Sequence, residues 1–306
     1  MNLPIKKRVG AAVLALVLTA GVAGTVFQTW AEASNIPSKT VMQSGVTVLS
    51  NAKAAVDTSN LSEGFIQVKY TGGKNVRIKV QITKSGGTTY TYNLNNTGSY
   101  ETFPLTEGDG SYTVKVFENT SGTKYAQAYS TSVSLKLRNA FLPFLYPNQY
   151  VNYTEKSATV ARGKEIVQNA GATDDLAKVS AIFNWVTSNF SYDYDLAANP
   201  PTGYLPDVDK VLAARKGICF DYAAVMATML RSQDIPCKLV VGYAGKIYHA
   251  WIDVYVEGVG WIKNAIYFDG KSWTMMDPTF VSTGKGSASI MKYVTTPSNY
   301  SQKYAY

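Results

Sequence analysis

Histidine is almost absent from this chain: of 306 residues, His249 alone carries an imidazole. Cysteine is nearly as scarce, with Cys219 and Cys237 the pair. One histidine and two cysteines cannot fill a tetrahedral Cys/His zinc site, and no carboxylate cluster has calcium-loop spacing, so neither a metal nor another cofactor is expected. Cations exceed anions, 29 against 21 for a formal charge of +8. They occur singly, in no basic run or helical stripe, which argues against nucleic acid as a partner. A modest positive excess fits a cell-wall or membrane face, and fits a solvated basic surface better. The single imidazole also confines acid/base chemistry near neutral pH to one place.

Long apolar runs are likewise missing, except at the start. Lys6, Lys7 and Arg8 precede a mostly apolar stretch from Val9 to Phe27, and Ala31-Glu32-Ala33 follows. A charged start, an apolar middle and a small-x-small exit describe a secretory signal peptide over residues 1–33, which places the protein outside the cytoplasm, secreted or in the cell envelope. The alternative is an uncleaved anchor, because a spanning helix needs about 20 residues. Gly21, Gly24 and the cleavage pattern favour removal, and no cysteine follows the run to take a lipid.

Residues 34–60 are polar and small without a sustained period, and read as a linker or lead-in. Over 61–140, short alternating runs such as FIQVKY, VRIKVQIT and YTVKVFE are punctuated by TGGKN, KSGGT and EGDGS. Period-two alternation of β-branched and aromatic residues predicts half-buried strands, and KSGGT a hairpin. Five to seven such strands with no helix between them predict an all-β sandwich of immunoglobulin-like type. Its tyrosines, like most of the 22 in the chain, have an account in cross-strand pairing.

Residues 141–306 behave differently. RNAFLPFLYPNQYVNY closes the β region as a packed connection, and from Ser157 the period becomes helical. Leu176, Val179, Phe183, Val186 and Phe190 recur at helical spacing, with Thr173 as the expected N-cap. A helix from Cys219 to Ser232 is followed by strands at 238–244, 247–256, 261–268 and 272–276. Helices first and strands afterwards predict an α+β domain with an antiparallel sheet. From Pro278 onward no period is clear.

Cys219 follows Gly217 and opens a helix, a setting that favours thiolate through free N–H groups and the helix dipole. His249 lies on the sheet that this helix would cover, so the two form a candidate nucleophile and base. A third group must hold the imidazole. Asp253 shares a strand face with His249, but four residues along a strand is about 13 Å. Asp221 is on another helix face and more plausibly caps or salt-bridges. Asp277, in MMDPT, is the best candidate if its strand pairs beside that of His249. Cys237, beginning an apolar strand in IPCKLVVGY, reads as a small buried hydrophobe. A Cys219–Cys237 disulfide would block the nucleophile. Alternation sets Tyr248, Ala250, Ile252 and Val254 against His249, Trp251, Asp253 and Tyr255, and the more apolar face lacks His249. Either the sheet is covered on both sides or the helix meets it at a bend.

GICFDYAAVMATMLRSQDIPCKLVVGY, YHAWIDVYVEGVGW and MMDPTF together resemble the core of the transglutaminase-like superfamily over about residues 215–280. The resemblance implies a papain-like α+β fold with Cys219, His249 and Asp277 as a Cys-His-Asp triad. His249 and Asp277 stand farther apart than in compact members, and NAIYFDGKSW between them reads as an added hairpin. The implied activity is thiol acyl transfer on peptide or glutamine amides through a thioester, as a protease or amidase or as a cross-linking enzyme. The partner is then a protein or peptide substrate, in the cell wall for an envelope enzyme, with membrane contact only through an uncleaved leader. The reading from another class is a non-catalytic surface binding or adhesion protein that keeps the fold as a scaffold.

Overall fold

The computed structural model describes residues 39, 45–263, 266–268, 273–275 and 296–306. Residues 1–33, where a signal peptide is expected, and Asp277 lie outside the described residues.

Eight strands form the N-terminal all-β region: β1 (Val48–Ser50), β2 (Ala54–Asp57), β3 (Phe65–Tyr70), β4 (Ile78–Lys84), β5 (Thr89–Leu94), β6 (Glu101–Pro104), β7 (Gly110–Ser121) and β8 (Lys124–Leu135). They make two antiparallel sheets, ordered β1-β2-β3-β6 and β5-β4-β7-β8. The chain crosses between sheets after β3, β5 and β6. Alternation decides which side chains turn inward. Ile78, Val80 and Ile82 of β4, and Tyr90, Tyr92 and Leu94 of β5, meet Val56, Ile66, Val68 and Phe103 of the other sheet in a shared core. Each such side chain contributes roughly 1.5–3 kcal/mol by leaving water. KSGGT forms the β4–β5 hairpin, with Gly86 at φ 74°, a left-handed value that glycine adopts without Cβ strain.

The lead-in expectation for 34–60 needs correcting, since β1 and β2 fall inside it. Ala54 and Val56 are buried in the sandwich core, and β2 pairs with β3 from Ala54↔Tyr70 to Asp57↔Gln67. NAKAAVD carries little strand signal, because its inward positions rely on alanine as much as on Val56. The connection after β8 is packed as anticipated: Phe65 meets Tyr146 at 5.0 Å, and Phe141 meets Tyr255 at 4.3 Å.

Among the described residues five α-helices follow, α1 (Ala158–Asn169), α2 (Asp175–Asn189), α3 (Tyr194–Ala198), α4 (Val208–Ala214) and α5 (Cys219–Arg231). The cap of α2 is Asp174 and not Thr173: its carboxylate accepts from Ala177 N at 2.8 Å. A small parallel pair, β9 (Ser191–Tyr192) with β10 (Lys216–Gly217), ties the end of α2 to the start of α5. The main sheet is antiparallel, ordered β13-β12-β11-β16, from β11 (Cys237–Ala244), β12 (Ile247–Val256), β13 (Gly260–Ile262) and β16 (Tyr300–Ala305). The added hairpin is present as β14 (Ile266–Phe268) against β15 (Trp273–Met275). β16 lies in the tail after Pro278, where the sequence shows no clear period.

The sheet is covered on both faces. Ala250, Ile252 and Val254 join the core that contains α5, while Val240, Trp251 and Ala305 form a separate cluster behind them. α5 is buried on every side from Asp221 to Arg231, as a helix at the centre of a domain must be.

Candidate active site

Local chemistry sets the start of α5. Its N-cap, Ile218, has no side-chain acceptor, so Asp221 turns back and accepts from Ile218 N at 2.8 Å. The Tyr204 hydroxyl donates to the other carboxylate oxygen at 2.7 Å. Gly217 is required by space: a Cβ there would come within 2.6 Å of Asp221 Cβ. Glycine, cysteine and acid in GICFD are therefore one device, in which the glycine admits the carboxylate that secures the turn carrying Cys219. Asp221 caps, as one of its two sequence readings held. Burial pushes its carboxyl above the ordinary range, and the bonds from Tyr204 and Ile218 oppose that rise.

Cys219 is the first residue of α5 and is partly exposed. The first intrahelical bonds run from Asp221 N and Tyr222 N to Ile218 O, so the amides of Cys219 and Phe220 stand ahead of the ladder, where a helix start presents its donors. Cys237 is fully buried, and burial drives its thiol up to about 12, against the pull of Arg231. Both cysteines are free, so the structure contains no Cys219–Cys237 disulfide.

α5 packs on β12. Tyr248 of that strand is half-exposed, and its hydroxyl is pushed up by burial first, then by Tyr304, Tyr243 and Cys219. Cys219 thus lies within electrostatic reach of the residue that precedes His249. His249 is 5% exposed and stacks on Trp251 at 6.3 Å. It pairs across the sheet with Gly242, where a Cβ would overlap the Ser301 carbonyl oxygen and approach Trp251. Asp253, on the same face, sits opposite Lys238. Of the three predicted site residues, Cys219 and His249 are placed on adjoining elements, with His249 on the Trp251 face of β12 and the Ala250–Ile252–Val254 face packed in the core with α5, and Asp277 is outside the described residues.

Sequence reasoning missed Tyr204, Tyr248 and Arg231. Tyr204 comes from a loop without periodicity. Arg231, in the MLR of the quoted string, is 1% exposed and donates to three main-chain carbonyls: Cys237 O at 2.8 and 2.9 Å, Tyr146 O at 2.7 Å and Tyr306 O at 2.8 Å. A separate polar hollow of about 840 Å³ between the sandwich and the helices is lined by Gln67, Glu101, Gln149, Tyr153 and Lys164, and involves neither Cys219 nor His249.

Residues 164–278 match the transglutaminase-like superfamily. Within that match the α+β part is transglutaminase-like. Kyphoscoliosis peptidase of Homo sapiens is 29% identical over 155 residues, 45% of this chain and 22% of that protein. YebA of Bacillus subtilis, an uncharacterised protein, is 25% identical over 148 residues, 42% of this chain and 20% of that protein. The transglutaminase-like chain spans about a fifth of the length of these curated relatives. Among solved structures, red sea bream transglutaminase aligns over 76% of this chain and 53% of its own, at 14% identity and a TM-score of 0.30.

Proposed function

We propose that this transglutaminase-like protein is an exported thiol acyl-transfer enzyme acting on peptide or glutamine amides. The observation that carries the reading is a partly exposed cysteine at the first position of a fully packed helix, laid on the strand that holds the chain's one histidine. His249 takes the proton of the Cys219 thiol, and the thiolate attacks the amide carbonyl carbon. The resulting oxyanion is met by the Cys219 N–H, a class of donor worth about 10²–10³ in rate. His249 returns the proton to the departing nitrogen, the C–N bond breaks, and a thioester remains on Cys219. Asp277 holds the imidazole through this exchange.

Water attacking the thioester gives a carboxylic acid and the free thiol, which is peptidase or amidase chemistry. A primary amine gives a new amide, which is cross-linking. That a curated relative is named a peptidase supports water as the acceptor. Incubation with a casein-like protein and a fluorescent primary amine separates the two outcomes, as released fragments or as incorporated label. Cys219→Ala and His249→Ala are each expected to lower turnover by at least about 10³. Turnover that survives either substitution sinks the mechanism, and a wild type that neither cleaves nor labels returns the chain to the binding-scaffold reading.

A further inference from the structure

β8 is the outer strand of its sheet. It pairs with β7 along one side, with an irregularity that leaves Ala128 as an extra residue between Gln127 and Tyr129. The Ala128 carbonyl accepts from Asn51 Nδ2 of the other sheet at 3.0 Å, which closes the edge at that point. Beyond it, the outer side of Tyr129–Leu135 presents main-chain N–H and C=O groups with no strand partner among the described residues. Sheet edges are ordinarily protected by charge, proline, a bulge or a covering segment. The segment YSTSVSL has no charge, no proline and no glycine. At its far end, Lys136 is held by Asp109 at 2.7 Å.

The segment is also complementary to itself. Tyr129, Thr131, Val133 and Leu135 point toward the sandwich core, while Ser130, Ser132 and Ser134 are exposed on the outer face. Antiparallel pairing with a second copy, centred on Ser132, sets Tyr129 opposite Leu135 and Thr131 opposite Val133, twice each by symmetry. Every outer-face pair is serine with serine. Aromatic–aliphatic and β-branched cross-strand pairs are favourable, and no like charges meet. A register one residue away would place inner side chains opposite outer ones. The two-fold axis makes the contact isologous and closed.

We propose that this edge is a self-association surface, at which two copies pair β8 with β8 about Ser132 and join two four-stranded sheets into one of eight. The partner is a second copy of this chain, and the contact is independent of the chemistry at Cys219.

Sedimentation velocity of the full chain, diluted from about 100 µM to about 1 µM, is expected to show a reversible monomer–dimer equilibrium. Ser132→Lys places two ammonium groups at the axis and should raise the dissociation constant at least about tenfold. Ser132→Asp should do the same, and an equimolar mixture of the two variants should recover the dimer. Both changes lie on the exposed face, and an unaltered circular-dichroism melt confirms the fold. A wild type that is monomeric at the highest concentration, a dimer that Ser132→Lys leaves intact, or a mixture that fails to recover overturns the proposal, as does association only with an unrelated extended peptide.

Discussion

Two buried carboxylates show how partners and not burial alone set a charge. Burial pushes the Asp221 carboxyl upward, and a hydroxyl and one amide do not outweigh it. Glu118, 4% exposed, is held at about 2, first by the Tyr70 hydroxyl at 2.6 Å and then, against burial, by Lys53 at 2.9 Å and Lys74 at 3.2 Å. A carboxylate with a depressed folded pKa contributes stability that is complete above its ordinary value of 4.5 and is lost as pH falls toward 2. Thermal melts should therefore fall across that window, and Glu118→Gln, which cannot titrate, should flatten the fall while lowering stability at pH 7. A variant with the wild-type slope would remove Glu118 from the account. Asp221 was readable as a cap because its partner Ile218 is three residues away. Glu118 was not, since its partners lie 44 to 65 positions off.

At the level of elements, α5 and β12 announced themselves through a glycine-led start and a strict alternation, whereas β16 did not. YSQKYA is exposed at its centre and sits at the sheet edge, so it carries little of the apolar signal from which strands are read. What admits it is a residue elsewhere, Gly242. β16 shifts register between Val241 and Gly242, and the Ser301 carbonyl occupies the space a side chain at 242 would fill. Gly242→Ala should push β16 away from β11 and cost about 1–3 kcal/mol, the usual range for overpacking. Urea denaturation measures the loss, and hydrogen exchange at Tyr300–Ala305 locates it. Unchanged protection in β16 would show that the strand does not depend on this gap. The same substitution lies directly across from His249, so a displaced strand should also lower turnover.

Across the whole molecule, the change from period two to helical period placed the sandwich ahead of the α+β part and the aromatic, proline-bearing stretch 138–153 marked the packed connection, but the rest of the junction had no local signature. It is made by residues distant in sequence. Tyr306 meets Tyr150 at 4.1 Å, Tyr90 at 5.6 Å and Tyr92 at 5.8 Å, and the Thr106 hydroxyl of the sandwich donates to Ala305 O at 2.8 Å. Arg231 holds this arrangement from within by joining the end of α5 to β11, to the connection at Tyr146 and to Tyr306. Its burial lowers the guanidinium pKa without a carboxylate among the causes, so main-chain oxygens satisfy its hydrogen bonds. Arg231→Met keeps comparable bulk and takes the donor from the Cys237 and Tyr146 carbonyls, at about 1–3 kcal/mol each, while Tyr306 O keeps its bond from Leu239 N at 2.9 Å. Four of the five tryptophans, Trp185, Trp251, Trp261 and Trp273, fall within residues 141–306 and the fifth is Trp30, so in a chain that starts at Ser34 fluorescence reports the α+β part while far-UV circular dichroism follows both parts. In the wild type the two denaturation curves should coincide. In Arg231→Met the fluorescence transition should move to lower urea and separate from the other, because the sandwich keeps its own core when the bonds to Tyr146 and Tyr306 are gone. Curves that stay superimposed would mean that the aromatic contacts of Tyr306 couple the two parts without help from the buried guanidinium.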